Sequence, residues 1–143
     1  MSKETAYCKV IADTNNHITD WVCRGLNIGN QWLGEHLTIG FLYQGRLIGG
    51  LIYHDIRPHR DLWWTLYTTD KRWCSKRILK FMFSVAFEYF GCRRISMQTF
   101  QSNHKCLRLA KQLGFQQEGL LQQFGDQGQD VIIMGLLKNN SRY

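Results

Sequence analysis

Between Ser75 and Phe90 the apolar residues Ile78, Leu79, Met82, Phe83, Ala86, Phe87 and Phe90 fall three or four positions apart, and Gly91 ends the run. This spacing predicts a helix with one continuous apolar stripe, and such a stripe must be buried against another layer. The flanking segments supply that layer. Upstream, Leu37–Tyr43 and Arg46–His54 flank Gln44-Gly45, the pattern of a hairpin with a tight turn, and Leu62–Thr69 is a third strand rich in aromatic and β-branched residues. Asp55–Arg60, marked by Pro58, is the loop between them. Downstream, Arg94–Phe100 reads as a strand, and Ser102 or Asn103 opens a helix that runs to about Leu113 and is closed by Gly114. Strands near Phe115–Leu121 and Asp130–Lys138 follow, parted by the turn Gly125-Asp126-Gln127-Gly128. At the start, Tyr7–Ala12 is a short strand candidate. Asp13 or Asn15 can cap a helix through about Leu26, and Asn30–His36 is at most a short second helix between Gly29 and Gly34.

No internal repeat and no change of composition divides the 143 residues, so one domain over 1–143 is expected. A single Pro and 44% hydrophobic residues exclude a linker-rich or disordered chain. No apolar run reaches the roughly 18 residues of a membrane span; Ile78–Phe87 comes closest and Lys80 interrupts it. Met1-Ser2-Lys3-Glu4-Thr5 does not lead into the apolar core of a signal peptide, so a cytoplasmic location and no membrane partner are expected. Cys8, Cys23, Cys74, Cys92 and Cys106 are odd in number and include no Cys-x-x-Cys pair, a poor basis for disulfides or zinc. His54-Asp55 with His59 and Asp61 is the nearest approach to a metal cluster and reads as a solvated loop, so no metal is expected.

The net charge of +7 is unevenly spread. From Lys71 to Gln112 ten basic residues face one acid, Glu88, a local charge of +9, while the remainder of the chain has 8 basic and 10 acidic residues, or −2. A basic segment of that kind suits phosphates, either of a nucleotide cofactor or of a nucleic acid.

The stretch Asn103-His-Lys-Cys-Leu-Arg-Leu-Ala-Lys-Gln-Leu-Gly-Phe115-Gln-Gln-Glu-Gly119 resembles the GNAT N-acetyltransferase superfamily, in which an Asn opens a helix, Leu-Gly-Phe closes it and Glu-Gly follows. The tail Gly128-Gln-Asp130-Val-Ile-Ile-Met134-Gly-Leu-Leu-Lys138 is similar to that family's last strand, and the resemblance is nearest to the branch acting on the N-termini of ribosomal proteins. It implies an α+β or α/β single domain with a mixed, mostly antiparallel central sheet of six to seven strands, flanked by about four helices and splayed between strands four and five. The chain departs from the family in one place. The loop before the long helix, Thr68 to Arg77, contains no Gly, and Trp73 or Cys74 stands where a Gly is expected, so bulky side chains there are expected to restrict the approach of a phosphate.

The resemblance further implies an N-acyltransferase that moves an acetyl or other acyl group from acyl-CoA, with acetyl-CoA the expected co-substrate, to a primary amine of a protein, peptide or small molecule by direct attack in a ternary complex. A bulged stretch Leu66-Tyr67-Thr68 is expected to polarise the thioester, Arg72, Cys74, Ser75, Lys76 and Arg77 to meet the phosphates, and Asn103 to bond the pantetheine arm. Ala110 stands where many relatives carry a proton-donating Tyr; Cys106 takes the place of a Ser near the thioester and becomes a candidate donor. His54, Asp61 and Tyr67 are open alternatives for deprotonating the amine. Two other functions remain: a member of the fold that acts on or binds nucleic acid through the 71–112 segment, where basic and aromatic residues interleave, and a non-catalytic binding module. Monomer and homodimer are both compatible.

Overall fold

The computed structural model describes residues 7–143. Its strands are β1 (Lys9–Ala12), β2 (His36–Tyr43), β3 (Arg46–Arg57), β4 (Asp61–Thr68), β5 (Arg94–Phe100), β6 (Gln116–Leu121) and β7 (Val131–Leu137). Helices α1 (His17–Gly25), α2 (Lys76–Ser84) and α3 (His104–Leu113) connect them. All seven strands form one sheet in the order β1-β2-β3-β4-β5-β7-β6, antiparallel everywhere except between β4 and β5. The mixed sheet expected from the sequence is present.

Local chemistry explains most of the boundaries. Gln44 and Gly45 both take positive φ, 52° and 76°, which suits the two-residue turn of a twisted hairpin. The Asp13 carboxylate accepts from the Ile18 and Thr19 amides at 2.8 and 3.0 Å and so closes the start of α1. Ser75 Oγ accepts from the Ile78 amide at the head of α2, Asn103 Oδ1 from the Cys106 amide at the head of α3, and Gly114 ends α3 at φ 108°.

Two expectations are corrected. The helix expected over Ser75–Phe90 is α-helical only to Ser84 and continues as a π-turn over Val85–Tyr89. There the buried Tyr53 hydroxyl donates to the Met82 carbonyl at 2.8 Å, an insertion of the kind that widens a helical ladder. Asn30–His36 contains no helix: Gly34 and the polar residues around it leave no apolar stripe, Trp32 Nε1 donates to Gly29 O at 2.5 Å, and His36 already belongs to β2.

The sheet buries both faces. On one, α2 and α3 cover Leu51, Tyr53, Leu62, Trp64, Ile95 and Met134. On the other, α1 covers Ile52 with Ile18, Val22 and Cys23, and Tyr67 packs beside them. Among the described residues no helix is long and apolar enough to cross a membrane.

Candidate active site at the open seam between β4 and β5

β4 and β5 pair only over Asp61–Arg94, Leu62–Ile95 and Trp63–Ser96. Beyond that point β4 runs on through Trp64–Thr68 and β5 through Met97–Phe100 without facing each other. β3 still pairs with β4 as far as Thr68, and β7 with β5 as far as Phe100. The two inner edges therefore present backbone amides and carbonyls that no strand satisfies. Because β4 and β5 are parallel, their C-terminal ends lie at the same edge of the sheet. The first turns of α2 and α3, which follow those ends, open there too, the usual place for ligands in sheets of this connectivity. At the point of divergence Trp64 packs on Phe83 and Phe115, with ring centroids 5.0 and 5.7 Å away.

The bulge expected at Leu66-Tyr67-Thr68 is absent. β4 keeps an unbroken register with β3 from Trp63–His54 to Thr68–Gly49, and the irregularity lies on β3, between His54 and Arg57. The free edge of β4 arises from the splay, not from a bulge. Along it the side chains alternate: Leu66 packs into the α2 core and Tyr67 onto the α1 face, where its ring meets Trp21 edge-on at 5.1 Å.

His54 lies on the α1 face, 6% exposed, with both ring nitrogens engaged: Nδ1 is 2.6 Å from Asp55 Oδ2 and Nε2 is 2.8 Å from Thr65 Oγ1. Burial pushes its pKa below the ordinary value, and the Asp55 carboxylate only partly offsets that. Trp32 covers the ring edge-on at 4.8 Å. A groove of about 480 Å³ opens beside it, lined by Gly34, Glu35, Asp55, Arg57, Asp61 and Trp63. Asp61, the other candidate base, is held by Arg57 at 2.6 Å and is 7% exposed.

Cys106 and Asn103 lie on the opposite face, with α3. Burial pushes the Cys106 thiol up, Thr99 of β5 pulling slightly the other way, so the thiol stays protonated. Ala110 is buried and offers no proton. The structure thus gathers His54 and Tyr67 on one side of the seam and leaves Cys106 on the other.

In the Gly-less loop the Trp73 side chain turns into the core, 3% exposed and stacked on Phe41, so it does not obstruct the outer surface as its bulk suggested. Cys74, Lys76 and Arg77 are exposed. Ser75 caps the Ile78 amide, whereas the amides of Lys76 and Arg77, in the first turn, have no intrahelical acceptor. Arg72 forks onto Asp70 and lies 4.3 Å above the Tyr43 ring, holding the Asp70 carboxyl well below the usual carboxylate range. The Arg77 guanidinium donates to the Cys8 carbonyl, and Arg94 pairs with Glu118 at 2.6 Å. Three of the ten basic residues between Lys71 and Gln112 are therefore engaged within the protein.

Neither Thr65 nor Trp32 carries a local sequence signal, and Asp55, expected to open the loop Asp55–Arg60, lies within β3, which runs on to Arg57. Thr65 is two residues beyond Trp63, which faces His54 across the β3–β4 ladder, so a correct hairpin register would have pointed to it.

The Acetyltransferase (GNAT) family model matches residues 20–115, more than half of the chain. The spermine/spermidine N(1)-acetyltransferase of Bacillus subtilis is 29% identical over 94 residues, covering 58% of this chain and 61% of that protein. The chain thus matches about three-fifths of the length of its curated relatives. Among solved structures, spermidine N-acetyltransferase from Vibrio cholerae in complex with CoA and spermine superposes with a TM-score of 0.72 at 16% identity, over 94% of this chain and 98% of that one. Mutant forms of the spermidine/spermine N-acetyltransferase SpeG from the same organism give 0.75 at 16% identity, over 94% and 95%. The open seam, its parallel strands and the match across the centre of the chain lead to one conclusion: this chain belongs to the GNAT acetyltransferase family.

Proposed function

We propose that the protein transfers an acetyl group from acetyl-CoA to a primary amine of a small, multiply charged aliphatic amine. The observation that carries this reading is the seam: two parallel strands that separate after Trp63 and Ser96 and leave unpaired backbone on both walls. An extended chain bearing amides can add there as a strand would. The seam and the first turn of α2 fit acetyl-CoA in kind. Leu66, Tyr67 and Thr68 provide the β4 wall, Asn103 stands at the β5 end, and the Lys76 and Arg77 amides with the Lys76 side chain face the phosphates. Arg72, held by Asp70, stays at the rim of the loop, and Cys74 and Ser75 shape it.

The two faces divide the chemistry. The amine approaches from the α1 face, where Glu35 and Asp55 supply negative charge beyond the Arg57–Asp61 pair and Trp63 an aromatic surface. His54, buried and neutral, is the base of choice there, with Tyr67 bordering the amine. The leaving thiolate forms on the α3 side, where the Cys106 thiol can return a proton. The named relatives act on spermine and spermidine, and the acidic groove supports the same class of acceptor over an N-terminal Ala or Ser of a ribosomal protein.

The test is direct. Acetyl-CoA is offered with spermidine, with peptides beginning in Ala or Ser, and with a short duplex, and each product is weighed. Acetylated spermidine alone supports the reading. Acetylated peptide moves the acceptor to the ribosomal-protein branch, and an acylated nucleic acid moves it to the basic segment. No acetyl transfer and no acetyl-CoA binding would leave a binding module.

A further inference from the structure

His54 and Asp55 are neighbours in a strand, where successive side chains point to opposite faces. Here they touch, because Asp55 takes φ 47° and the β3 register shifts between His54 and Arg57. A left-handed backbone at a non-glycine residue is a strained device, and it brings the carboxylate back onto His54 Nδ1 at 2.6 Å. A carboxylate only accepts, so Nδ1 carries the hydrogen and Nε2 keeps its lone pair. That lone pair accepts from the Thr65 hydroxyl at 2.8 Å. His54 itself is buried under Trp32, whereas Thr65 is half-buried and stands on the same face as Trp63, one pleat nearer the open seam.

Resting on the acetyltransferase reading, we propose that Thr65 is a catalytic residue that relays a proton from the acceptor ammonium to His54, and that Asp55 is the positioning residue that sets the receiving tautomer. In this step the ammonium N–H bond breaks and its electron pair stays on nitrogen, making the amine nucleophilic. Thr65 Oγ1 takes that hydrogen and passes its own to His54 Nε2. The imidazolium is stabilised by the Asp55 carboxylate and discharges to solvent through Thr65 once the product has left. No electrons are exchanged. The groups around His54 are Asp55 on its own strand, His36 paired with it from β2, Thr65 and Trp63 from β4 and Trp32 above; Glu35, Asp61 and Arg57 share the groove.

The experiment follows kcat/KM for spermidine against pH in the full chain, with melting curves for every variant. Thr65→Val should lose about a hundredfold in kcat/KM, and Thr65→Ser should stay within about threefold of the parent because it keeps the hydroxyl. Asp55→Gly, which suits the left-handed backbone, should fold at least as well as the parent yet lose roughly tenfold or more in turnover. Asp55→Asn removes the charge that favours the imidazolium, so the acid limb of the profile should move to lower pH. The nitrogen spectrum of labelled His54 should show Nδ1–H in the parent and a mixed or inverted tautomer in Asp55→Asn. A folded Thr65→Val that turns over like an active parent would overturn the relay alone, as would an unmoved acid limb in Asp55→Asn. A parent that acetylates no amine would overturn the acetyltransferase reading and the relay with it.

Discussion

The two faces of β4 are built from adjacent residues and obey different chemistry. Leu62, Trp64 and Leu66 point into an aromatic core under α2 and α3, where the Tyr53, Phe83 and Phe115 rings surround Trp64. Trp63, Thr65 and Tyr67 point to the α1 face, where polar and titratable groups collect around a groove. One face holds the strand while its free edge stays open; the other equips that edge. Side chains packed above and below β4 hold it in place where its free edge has no partner strand.

That contrast can be broken from the core side first. Trp64→Ala should cost about 3–5 kcal/mol of unfolding free energy, read from denaturant melts, because it removes the ring from three aromatic neighbours. A loss below about 1 kcal/mol would show that Trp64 does not anchor β4. A smaller change tests the other face. A Cβ at Gly25 would collide with the Tyr67 ring, which Trp21 already confines. Gly25→Ala should therefore cost roughly 1–3 kcal/mol of unfolding free energy, read from denaturant melts.

Smaller still is the cap of α1. Burial pushes the Asp13 carboxyl up, but the hydrogen bonds from Ile18 and Thr19 together outweigh it and hold it below 3.8. Its contribution is complete above that value and is lost as pH falls through the folded pKa. Asp13→Ala should cost about 1 kcal/mol near neutral pH, and its gap from the parent should close in acid. The least effect is that of His54 on stability. Its folded pKa lies below 6.5, so between the two values the unfolded chain holds more protons and stability falls as pH drops below 6.5. His54→Gln should flatten that slope.

Much of this arrangement is legible from residue types. Gln44-Gly45 between alternating strands identifies the hairpin, and the stripe from Ile78 to Phe87 identifies the face of α2 that is buried. Asn103 as the cap of α3 follows from the same preferences; at α1 they leave Asp13 and Asn15 open, and it is the Asp13 carboxylate, three residues before the N-cap Asn16, that takes the first amides. Other features depend on tertiary geometry and leave no local signature. The splay came from family resemblance, not from any pattern in β4. Trp73 looked like an obstruction because composition does not say which way a side chain turns. The contact of His54 with Asp55 contradicts the alternation rule that makes strands readable, and only the shifted register and the positive φ of Asp55 reveal it. The π-turn after Ser84 likewise depends on Tyr53, far away in sequence.

The unpaired edges of β4 and β5 are where acetyl-CoA is proposed to bind. Amide hydrogen exchange of the full chain, with and without saturating acetyl-CoA, tests it most directly. New protection is expected at Trp64–Thr68, at Met97–Phe100 and at the first turn of α2, with the β2–β3 hairpin turn at Gln44-Gly45 unchanged. Calorimetric binding of acetyl-CoA with no slowing of exchange along Trp64–Thr68 would contradict it.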